Sequence, residues 1–333
     1  MRVGVIGAGR IGAFHAATLV DLPEVDEVVV TDRDRTRAAL VADRIGAMTS
    51  DDVLGAGVDA AVIATPTPTH AELLVALAQA GLPVFCEKPV ASSVASMVAV
   101  LKEVEAAGTA LQVGFQRRFD AGYQALREAV RAGRIGRLHG LRAVTADPAP
   151  PHSSYIPGSG GIFRDCSVHD FDAIRWVTGR EIVEVYATGS NRGERFFADA
   201  GDVDTSVAVL TLDDGTLATA YATRYNGAGY DVRLEVSGVA DTLVAGLDSW
   251  SPLISAEPGV GSPPEPAYDH FADRFDAAYR AELSAFVDVA AGLVGSPCTG
   301  DEALEVLLVA EAAELSRAGR RPVRVEEVRD ALT

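Results

Sequence analysis

A glycine turn near the start of the chain constrains the fold more than any other feature. An apolar run leads directly into Gly7-Ala-Gly-Arg-Ile-Gly12, a helical pattern follows, and a second apolar run ends at Asp32. Gly7 permits a tight turn, Gly9 lets a pyrophosphate approach the backbone, and Gly12 lets the helix pack closely on the sheet. The helix N-terminus adds N–H groups and a positive dipole end. This strand–turn–helix context predicts a dinucleotide-binding turn rather than a glycine-rich loop without a ligand.

Asp32 also indicates which dinucleotide the turn would hold. A carboxylate at this position accepts hydrogen bonds from the ribose hydroxyls and repels a 2′-phosphate, which favours NAD over NADP. Arg33 and Arg35 lie just beyond it, and an arginine there can hold that phosphate. The alternative for both arginines is a solvated first turn of the next helix. We adopt this alternative and predict NAD as the cofactor.

Length and charge limit the classes of protein to which the chain can belong. Its 333 residues suggest two domains, and its net charge of −18 disfavours binding to nucleic acid or to an anionic membrane. The first apolar run leads into the glycine turn, so we expect a strand rather than a signal peptide, and no apolar run is long enough to span a membrane. The three cysteines Cys86, Cys166 and Cys298 are widely spaced, which fits a reducing cytoplasm without disulfides.

The first third of the chain alternates apolar strand patterns with helical ones. Strands are predicted at residues 2–6, 25–31, 60–64, 84–86 and 110–114, and helices at 11–20, 35–44, 70–80 and 94–107. Continuous apolar strands separated by helices are typical of a parallel sheet covered on both faces. The sequence therefore predicts an α/β domain over residues 1–118, with a doubly wound parallel sheet of the Rossmann type that binds NAD.

Beyond residue 118 the pattern changes to strands joined by short turns. Strands are predicted from residue 138 and at 182–189, 205–212, 217–225, 232–238 and 242–247, with helices at 122–132, 165–177, 277–291 and 301–317. This favours a second, α+β domain over residues 119–333, with a large, open, mainly antiparallel sheet that carries helices on one face. A broad free face of such a sheet must be polar or buried in an oligomer.

Lys88 is a candidate catalytic residue in Cys86-Glu-Lys-Pro89, at the end of the predicted strand 84–86. Open α/β sheets bind ligands beyond the carboxyl ends of their strands, where a nicotinamide and a substrate would meet. Pro89 restricts Lys88 to an extended or turned backbone, which would aim its side chain. The alternative is a solvated lysine at a strand end.

A second candidate lies in the predicted helix that begins at Asp165. Regular helical spacing places Asp165, His169 and Asp172 on one face, together with Trp176. A histidine with a partner carboxylate is a suitable general base for an alcohol. The alternatives are an N-capping aspartate beside an exposed histidine, or a metal-binding face. Since no fourth ligand is evident, we expect no metal.

A third candidate is the polar segment Tyr225-Asn-Gly-Ala-Gly-Tyr-Asp-Val-Arg233. Its tyrosine, asparagine and aspartate side chains are suited to grasping a hydroxyl-rich substrate. The alternative is an ordinary hairpin turn, because Asn-Gly is a strong turn signal.

Together these motifs resemble the Gfo/Idh/MocA family of glucose–fructose oxidoreductases and inositol dehydrogenases. The resemblance extends over nearly the whole chain. It rests on the glycine turn, Ala64-Thr-Pro-Thr67 with His70, Glu87-Lys-Pro89, Gln112-Val-Gly-Phe-Gln-Arg-Arg118 and Asp165-Cys-Ser-Val-His-Asp-Phe-Asp172. Within the family, the inositol dehydrogenase branch is the most similar, through Gln116-Arg-Arg-Phe-Asp120, Ser159-Gly-Gly-Ile-Phe-Arg-Asp165 and Gly229-Tyr-Asp-Val-Arg233.

The resemblance implies a catalytic group of Lys88, Asp165 and His169, with His169 as the base. It implies substrate contacts from these three residues and from Asp172, Tyr230 and Arg117. The residues implied to bind the cofactor are Gly7, Gly9, Arg10, Ile11, Gly12, Asp32, Arg33, Ala64, Thr65, Pro66, Thr67, His70, Glu87, Lys88 and Gln116.

The implied reaction is NAD-dependent oxidation of a ring hydroxyl of a cyclic polyol, myo-inositol to its 2-keto form (scyllo-inosose). Another inositol isomer, or an aldose oxidised at its anomeric carbon, would use the same residues, and the loop 147–155 leaves this choice open. A catalytically silent dinucleotide-binding regulator is the alternative from a different class. The family also implies a homotetramer built on the free faces of the antiparallel sheets.

Overall fold

The computed structural model describes residues 1–332 and separates them into two compact units. The first holds Met1–Gln116 and Ala277–Glu305, and the second holds Arg117–Asp276 and the described chain from Val306 onward. This division differs from the expected domains 1–118 and 119–333. Leu283, Phe286 and Val287 belong to the hydrophobic core of the first unit, so a late segment returns to it. Amphipathic periodicity predicts such a helix but does not identify the sheet on which it packs.

The first unit contains a six-stranded parallel sheet within the described residues. Its strands are β1 (Arg2–Ile6), β2 (Glu27–Thr31), β3 (Met48–Thr49), β4 (Ala60–Ile63), β5 (Val84–Glu87) and β6 (Leu111–Gly114). They lie in the order β3-β2-β1-β4-β5-β6. The order changes direction between β1 and β4, which creates the switch point where open α/β sheets bind ligands. The predicted doubly wound sheet is confirmed, and β3 is an additional short strand.

Four helices connect these strands, close to the predicted bounds. They are α1 (Arg10–Val20), α2 (Arg35–Ile45), α3 (His70–Gln79) and α4 (Val94–Ala107). Asp34 caps α2 and Ser93 caps α4, each through a side-chain oxygen that accepts a backbone N–H. Both helices end at a left-handed glycine, Gly46 and Gly108.

The second unit contains a seven-stranded sheet within the described residues. Its strands are β7 (Leu138–Ala146), β8 (Ile182–Ser190), β9 (Thr205–Leu212), β10 (Leu217–Thr223), β11 (Asp231–Gly238), β12 (Thr242–Ala245) and β13 (Val323–Arg324). They lie in the order β12-β11-β7-β10-β9-β8-β13, and all neighbours are antiparallel except β7 and β10. The chain crosses β7 between β10 and β11, so Asn226-Gly227 forms a turn in a crossover and not a hairpin.

Helices cover one face of this second sheet and leave part of the other face open. The helices that begin in the second unit are α5 (Ala121–Arg131), α6 (Ile156–Ser159), α7 (Val168–Thr178), α8 (Phe196–Asp199), α9 (Phe271–Ala290) and α11 (Val325–Asp330), while α10 (Gly300–Gly319) begins in the first. α7 contacts β7, β10 and β11. We call the open apolar patch the exposed strand face; its members are 38–53% exposed and are Tyr186, Val207, Val209, Leu217 and Tyr221.

Three general properties of the described chain bear on its function. None of the helices within residues 1–332 combines the length and hydropathy needed to span a bilayer. Cys86, Cys166 and Cys298 are all free and buried. Over the same residues, no group of three or more His, Cys, Asp or Glu side chains is arranged to hold a metal ion.

Candidate active site

The glycine turn between β1 and α1 has the backbone geometry that a dinucleotide requires. Gly7 has φ +104°, and a Cβ there would lie 2.6 Å from the carbonyl oxygen of Ala64. A Cβ on Gly12 would lie 1.8 Å from the Gly7 carbonyl oxygen, so only glycine lets α1 pack this closely. A Cβ on Gly9 would meet no atom of the described chain within 4 Å. The turn is therefore closed against the sheet and open at the middle glycine.

Asp32 lies at the end of β2, where it joins this strand to the glycine turn. Its Oδ2 accepts the backbone N–H of Ala8 at 2.7 Å, and its Oδ1 accepts the N–H of Asp34 at 2.8 Å. These two bonds orient a carboxylate that keeps 11% of its side-chain surface exposed. A ribose that follows a pyrophosphate on the turn would meet this carboxylate, as the dinucleotide fingerprint requires.

The two arginines just beyond Asp32 are solvent-exposed, which agrees with the alternative adopted for them from the sequence. Arg33 is exposed, and Arg35 forms an exposed ion pair with Asp51 at 2.8 Å. Arg37, which the sequence reasoning missed, lies closer to the acid, with its Nη1 3.7 Å from Asp32 Oδ2. Its position in the first turn of α2 was the available signal, because residues of the first turn surround the end of the preceding strand.

His70 connects the loops that follow β4 and β5. Its ring is 1% exposed, with Nε2 2.7 Å from the Thr65 carbonyl oxygen and Nδ1 2.9 Å from the Pro89 carbonyl oxygen. Through these two contacts the ring connects the loop that contains Lys88 to the loop that contains Thr65. The structure thus gives His70 a part in shaping the predicted cofactor site.

Glu87 is the last residue of β5, and Lys88 begins the loop beyond it. Glu87 Oε1 lies 2.7 Å from Nε2 of His15, a fully buried residue of α1. This contact ties the end of β5 to the helix that follows the glycine turn. Lys88 is half-buried, and its peptide bond to Pro89 is cis.

The remaining predicted cofactor residues line the same sheet edge or its helices. Ala64 and Gln116 are buried, Thr65 and Thr67 are half-buried, and Pro66 is exposed. Arg10 and Ile11 form the first turn of α1, whose N-cap Gly9 offers no side chain. Such an uncapped N-terminus suits a phosphate. The open Gly9, the oriented Asp32 and this helix end together fit a dinucleotide.

In the second unit, Asp165 and His169 lie in two consecutive helical segments of different geometry. A π-helical turn spans Phe163–Ser167, and α7 begins only at Val168. Asp165 is therefore inside a π turn and does not cap a helix, contrary to the alternative considered above. π turns recur at functional sites because they rotate a side chain out of the regular helical phase.

The carboxylate of Asp165 is held on both oxygens by residues that sequence reasoning did not single out. Tyr155 donates its hydroxyl to Oδ1 at 2.9 Å, and Arg224 donates Nη2 to Oδ2 at 2.5 Å. Burial, and then Asp165, raise the pKa of Tyr155 well above its ordinary value, so its hydroxyl keeps the proton that it donates. No local pattern marks these partners: Tyr155 comes from the loop ten residues before Asp165, and Arg224 follows a strand 59 residues away.

Asp172 is not on an open face with Asp165, and this corrects the sequence prediction. It is 0% exposed and accepts three hydrogen bonds from the Arg118 guanidinium, of 2.6, 3.0 and 3.2 Å. The π turn is the physical reason, because it breaks the regular spacing on which the shared face depended. In this conformation Asp172 anchors α7 and presents no carboxylate oxygen to a substrate.

Arg117 is likewise buried, contrary to its expected role in holding hydroxyls. It is 2% exposed and donates to Asp170 at 2.5 Å and to Thr145 at 2.9 Å. Two adjacent arginines thus pair with two aspartates of α7.

Tyr230 is a buried residue with Arg117 and Asp147 among its electrostatic neighbours. It is 7% exposed, and burial is the main cause that raises its pKa well above its ordinary value. Asp147 and Cys166 are among its electrostatic neighbours. Tyr230 therefore keeps its phenolic proton, and Asp147 is the carboxylate that interacts with it.

Two parts of the chain match known families. Residues 1–115 match an oxidoreductase family with an NAD-binding Rossmann fold, and residues 123–244 match a GFO/IDH/MocA C-terminal domain. The fold and the dinucleotide site thus define an NAD-dependent oxidoreductase. The chain belongs to the Gfo/Idh/MocA family, which confirms the resemblance predicted from its motifs and NAD as the cofactor.

Similar proteins have been named for the inositols on which they act. Hyg17 of Streptomyces leeuwenhoekii, a myo-inositol dehydrogenase, is 40% identical over 95% of this chain and 98% of its own length. A myo-inositol dehydrogenase structure from Corynebacterium glutamicum is 32% identical, with a TM-score of 0.89 over 97% of this chain and 98% of that one. A scyllo-inositol dehydrogenase from Lactobacillus casei, solved with NAD(H) and scyllo-inositol, is 28% identical, with a TM-score of 0.88 over 98% and 99%.

Proposed function

We propose that this protein is an NAD-dependent dehydrogenase of a cyclic polyol, and that it oxidises myo-inositol to 2-keto-myo-inositol. The observation that carries the proposal is the doubly held carboxylate of Asp165, four residues before His169, in a chain 40% identical to a myo-inositol dehydrogenase. A fixed carboxylate beside a histidine suits the removal of a proton from an alcohol.

The proposed roles follow from the chemistry of each side chain. NAD, when bound, supplies the acceptor for the hydride that leaves the ring carbon. His169 takes the hydroxyl proton, and the negative charge of Asp165 stabilises the imidazolium that forms. Lys88 donates a hydrogen bond to the reacting oxygen, which gains negative character as its proton leaves. Tyr230, with its retained proton, holds another hydroxyl of the substrate.

The cofactor would be held by the residues of the first unit. The backbone N–H groups of Arg10 and Ile11 would bind the pyrophosphate, and Asp32 would accept hydrogen bonds from the ribose hydroxyls. The loops fixed by His70 and Glu87 support the nicotinamide side. Arg33, being exposed and near Asp32, is a further group at the ribose end.

The test is turnover of a substrate panel by the purified protein. NAD is incubated with myo-, scyllo- and chiro-inositol, glucose and xylose, and reduced nicotinamide is followed by absorbance, with NADP as the matched cofactor control. Preference for myo-inositol with NAD supports the proposal. Preference for scyllo-inositol, glucose or xylose would mean that myo-inositol is not the substrate. NAD binding without turnover would support a silent regulator.

We also propose that the protein is a cytoplasmic homotetramer. The exposed strand face supports association, because contiguous exposed apolar patches mark interaction sites. Three free, buried cysteines support a reducing compartment. Light scattering of the purified protein tests the assembly, and a monomeric mass would contradict it.

A further inference from the structure

Arg224 leaves the sheet next to Asp147 because β7 and β10 run parallel. Ala146 and Thr223 are the last registered pair of these two strands. The next residue of each chain is therefore at the same edge, and the Asp147 N–H donates to the Thr223 carbonyl at 2.9 Å. The Arg224 N–H donates to the Asp204 carbonyl at 2.8 Å, which fixes the backbone from which its side chain extends.

The Arg224 guanidinium joins two carboxylates. Its Nη1 donates to Asp147 Oδ2 at 3.1 Å, and its Nη2 donates to Asp165 Oδ2 at 2.5 Å. The Arg224 side chain is 6% exposed and the Asp165 side chain is 10% exposed, so water screens these charges little. The planar fork of an arginine can reach two acceptors at once, which a single ammonium group cannot do with the same geometry.

The carboxylates of Asp147 and Asp165 require a cation between them. Without Arg224, Asp147 and Asp165 would face each other, and two nearby carboxylates disfavour ionisation of one of them. Burial lowers the pKa of Arg224, but interactions with Cys166, Asp165 and Asp147 outweigh burial and hold that pKa well above its usual range. Arg224 therefore remains charged between the two carboxylates.

We infer that Arg224 is a positioning residue, which holds the Asp165 carboxylate ionised and oriented for its work with His169. The inference rests on the proposed function, since it acts through Asp165. Tyr155 completes the arrangement on the other oxygen, at 2.9 Å. Asp147 is the second carboxylate that holds the guanidinium. It is the first residue of the loop 147–155, which leaves the choice of substrate open in the sequence analysis.

The test is the variant Arg224→Lys, which keeps the charge and loses the fork. We expect kcat to fall roughly 10- to 100-fold, as for misplacement of a reacting group by about 1 Å, while the Kd for NAD stays unchanged. In an Asp165→Asn background the same substitution should cause no further loss of kcat, because the two residues act as one unit. A further loss of similar size in that background would overturn the inference.

Arg175→Lys is the matched control within the second unit. Arg175 is also buried, and it donates to Glu181 at 2.7 and 2.8 Å. We expect this control to lower the melting temperature and leave kcat unchanged. If Arg224→Lys behaves in the same way, Arg224 is only a structural residue and the inference fails.

Asp147→Asn provides a second route if Arg224→Lys does not fold. This substitution removes the charge of the second carboxylate that holds the Arg224 guanidinium, so kcat should fall. The same substitution should cause no further loss of kcat when Asp165→Asn is already present. Unchanged kcat would contradict the inference. A wild-type protein that oxidises no polyol would instead contradict the proposed function, so the two failures are distinguishable.

Discussion

At the residue scale, the acids of this protein differ mainly in which donors surround them. Asp32 is oriented by two backbone N–H groups and stays partly exposed, so it can still accept ribose hydroxyls. Asp165 is oriented by Tyr155 and Arg224 and also keeps some exposure. Asp172 is enclosed by Arg118 and has none. Exposure, more than residue type, therefore separates acids that can meet a ligand from those that hold the fold.

Replacing Asp32 with serine should weaken the preference for NAD over NADP. The substitution removes the charge that repels a 2′-phosphate and a charge-assisted hydrogen bond worth roughly 1.5–3 kcal/mol. The ratio of kcat/KM for the two cofactors should fall about tenfold or more. Asp34→Ser is the control, because serine also caps α2 and should leave the ratio unchanged. An unmoved ratio in Asp32→Ser would refute the ribose role.

Replacing Lys88 or His169 with alanine should stop turnover and spare NAD binding. General acid–base catalysis contributes roughly 10²- to 10⁴-fold, so kcat should fall by at least that range in His169→Ala. Steady-state kinetics and the Kd for NAD from fluorescence titration measure the two effects separately. Normal turnover in either variant would remove that residue from the catalytic group.

At the scale of elements, the π turn before α7 decides which side chains reach the site. Phe163–Ser167 adds an extra residue per turn, so Asp165 leaves the helical phase of Asp172. α7 is then fastened by the pairs of Arg117 with Asp170 and of Arg118 with Asp172. These ion pairs anchor α7 in a region where the family resemblance implied substrate contacts from Arg117 and Asp172.

Asp172→Asn should therefore destabilise the protein. It removes the charge that compensates a buried guanidinium, which costs about 3–5 kcal/mol. Urea unfolding measures the change. Asp199→Asn is the control, because its ion pair with Arg195 is exposed and should contribute under about 1 kcal/mol. A stable Asp172→Asn protein with a raised KM for polyol would restore the substrate role.

Substitution by alanine should affect different properties at two glycines of the same turn: stability at Gly12 and NAD binding at Gly9. Gly12→Ala places a Cβ 1.8 Å from the Gly7 carbonyl oxygen, so overpacking should cost roughly 1–3 kcal/mol or more and lower the Tm. Gly9→Ala meets no neighbour within 4 Å in the described chain and should fold normally, while the added methyl blocks the pyrophosphate and weakens NAD binding. Normal NAD affinity in Gly9→Ala would contradict the proposed phosphate site.

At the scale of the whole molecule, the exposed strand face is an apolar surface that the described residues leave uncovered. Val207 pairs with Tyr221 across β9 and β10, and Val209 pairs with Tyr186 across β8 and β9. The four side chains form one contiguous apolar patch on three neighbouring strands. Scattered exposed apolar residues need no explanation, but a contiguous patch of this kind marks an interaction surface.

Val209→Glu should dissociate the proposed tetramer. A charge in the middle of an apolar interface cannot be buried without a partner, so the assembly should shift to smaller species. Size-exclusion chromatography with light scattering measures the mass. Leu40→Glu is the control, because Leu40 is 67% exposed on α2 of the first unit and should not affect assembly. An unchanged mass in Val209→Glu would place the interface elsewhere.

Much of the first unit could be predicted because its information is local. Apolar runs, caps and glycines fix the strands and helices, and the fingerprint from Gly7 to Asp32 fixes the dinucleotide turn within 26 consecutive residues, counting from 7 to 32. The approach of Arg37 to Asp32 and the division of the late helices between the two units were missed, because both depend on which surfaces meet after folding. His70 itself was predicted at the cofactor site, but its two carbonyl partners come from separate loops and could not be read from a local pattern.

The sequence by itself determined the parallel sheet, its glycine turn, its acid at Asp32 and the family, since each depends on residue type at short, fixed spacing. Only the tertiary structure decided which counter-ions surround Asp165 and Asp172 in the second unit. Arg224 and Asp165 are 59 residues apart, and Arg118 and Asp172 are 54 apart. The physical reason is that a buried ion must find its counter-ion in space, and the fold brings together partners that no local pattern connects.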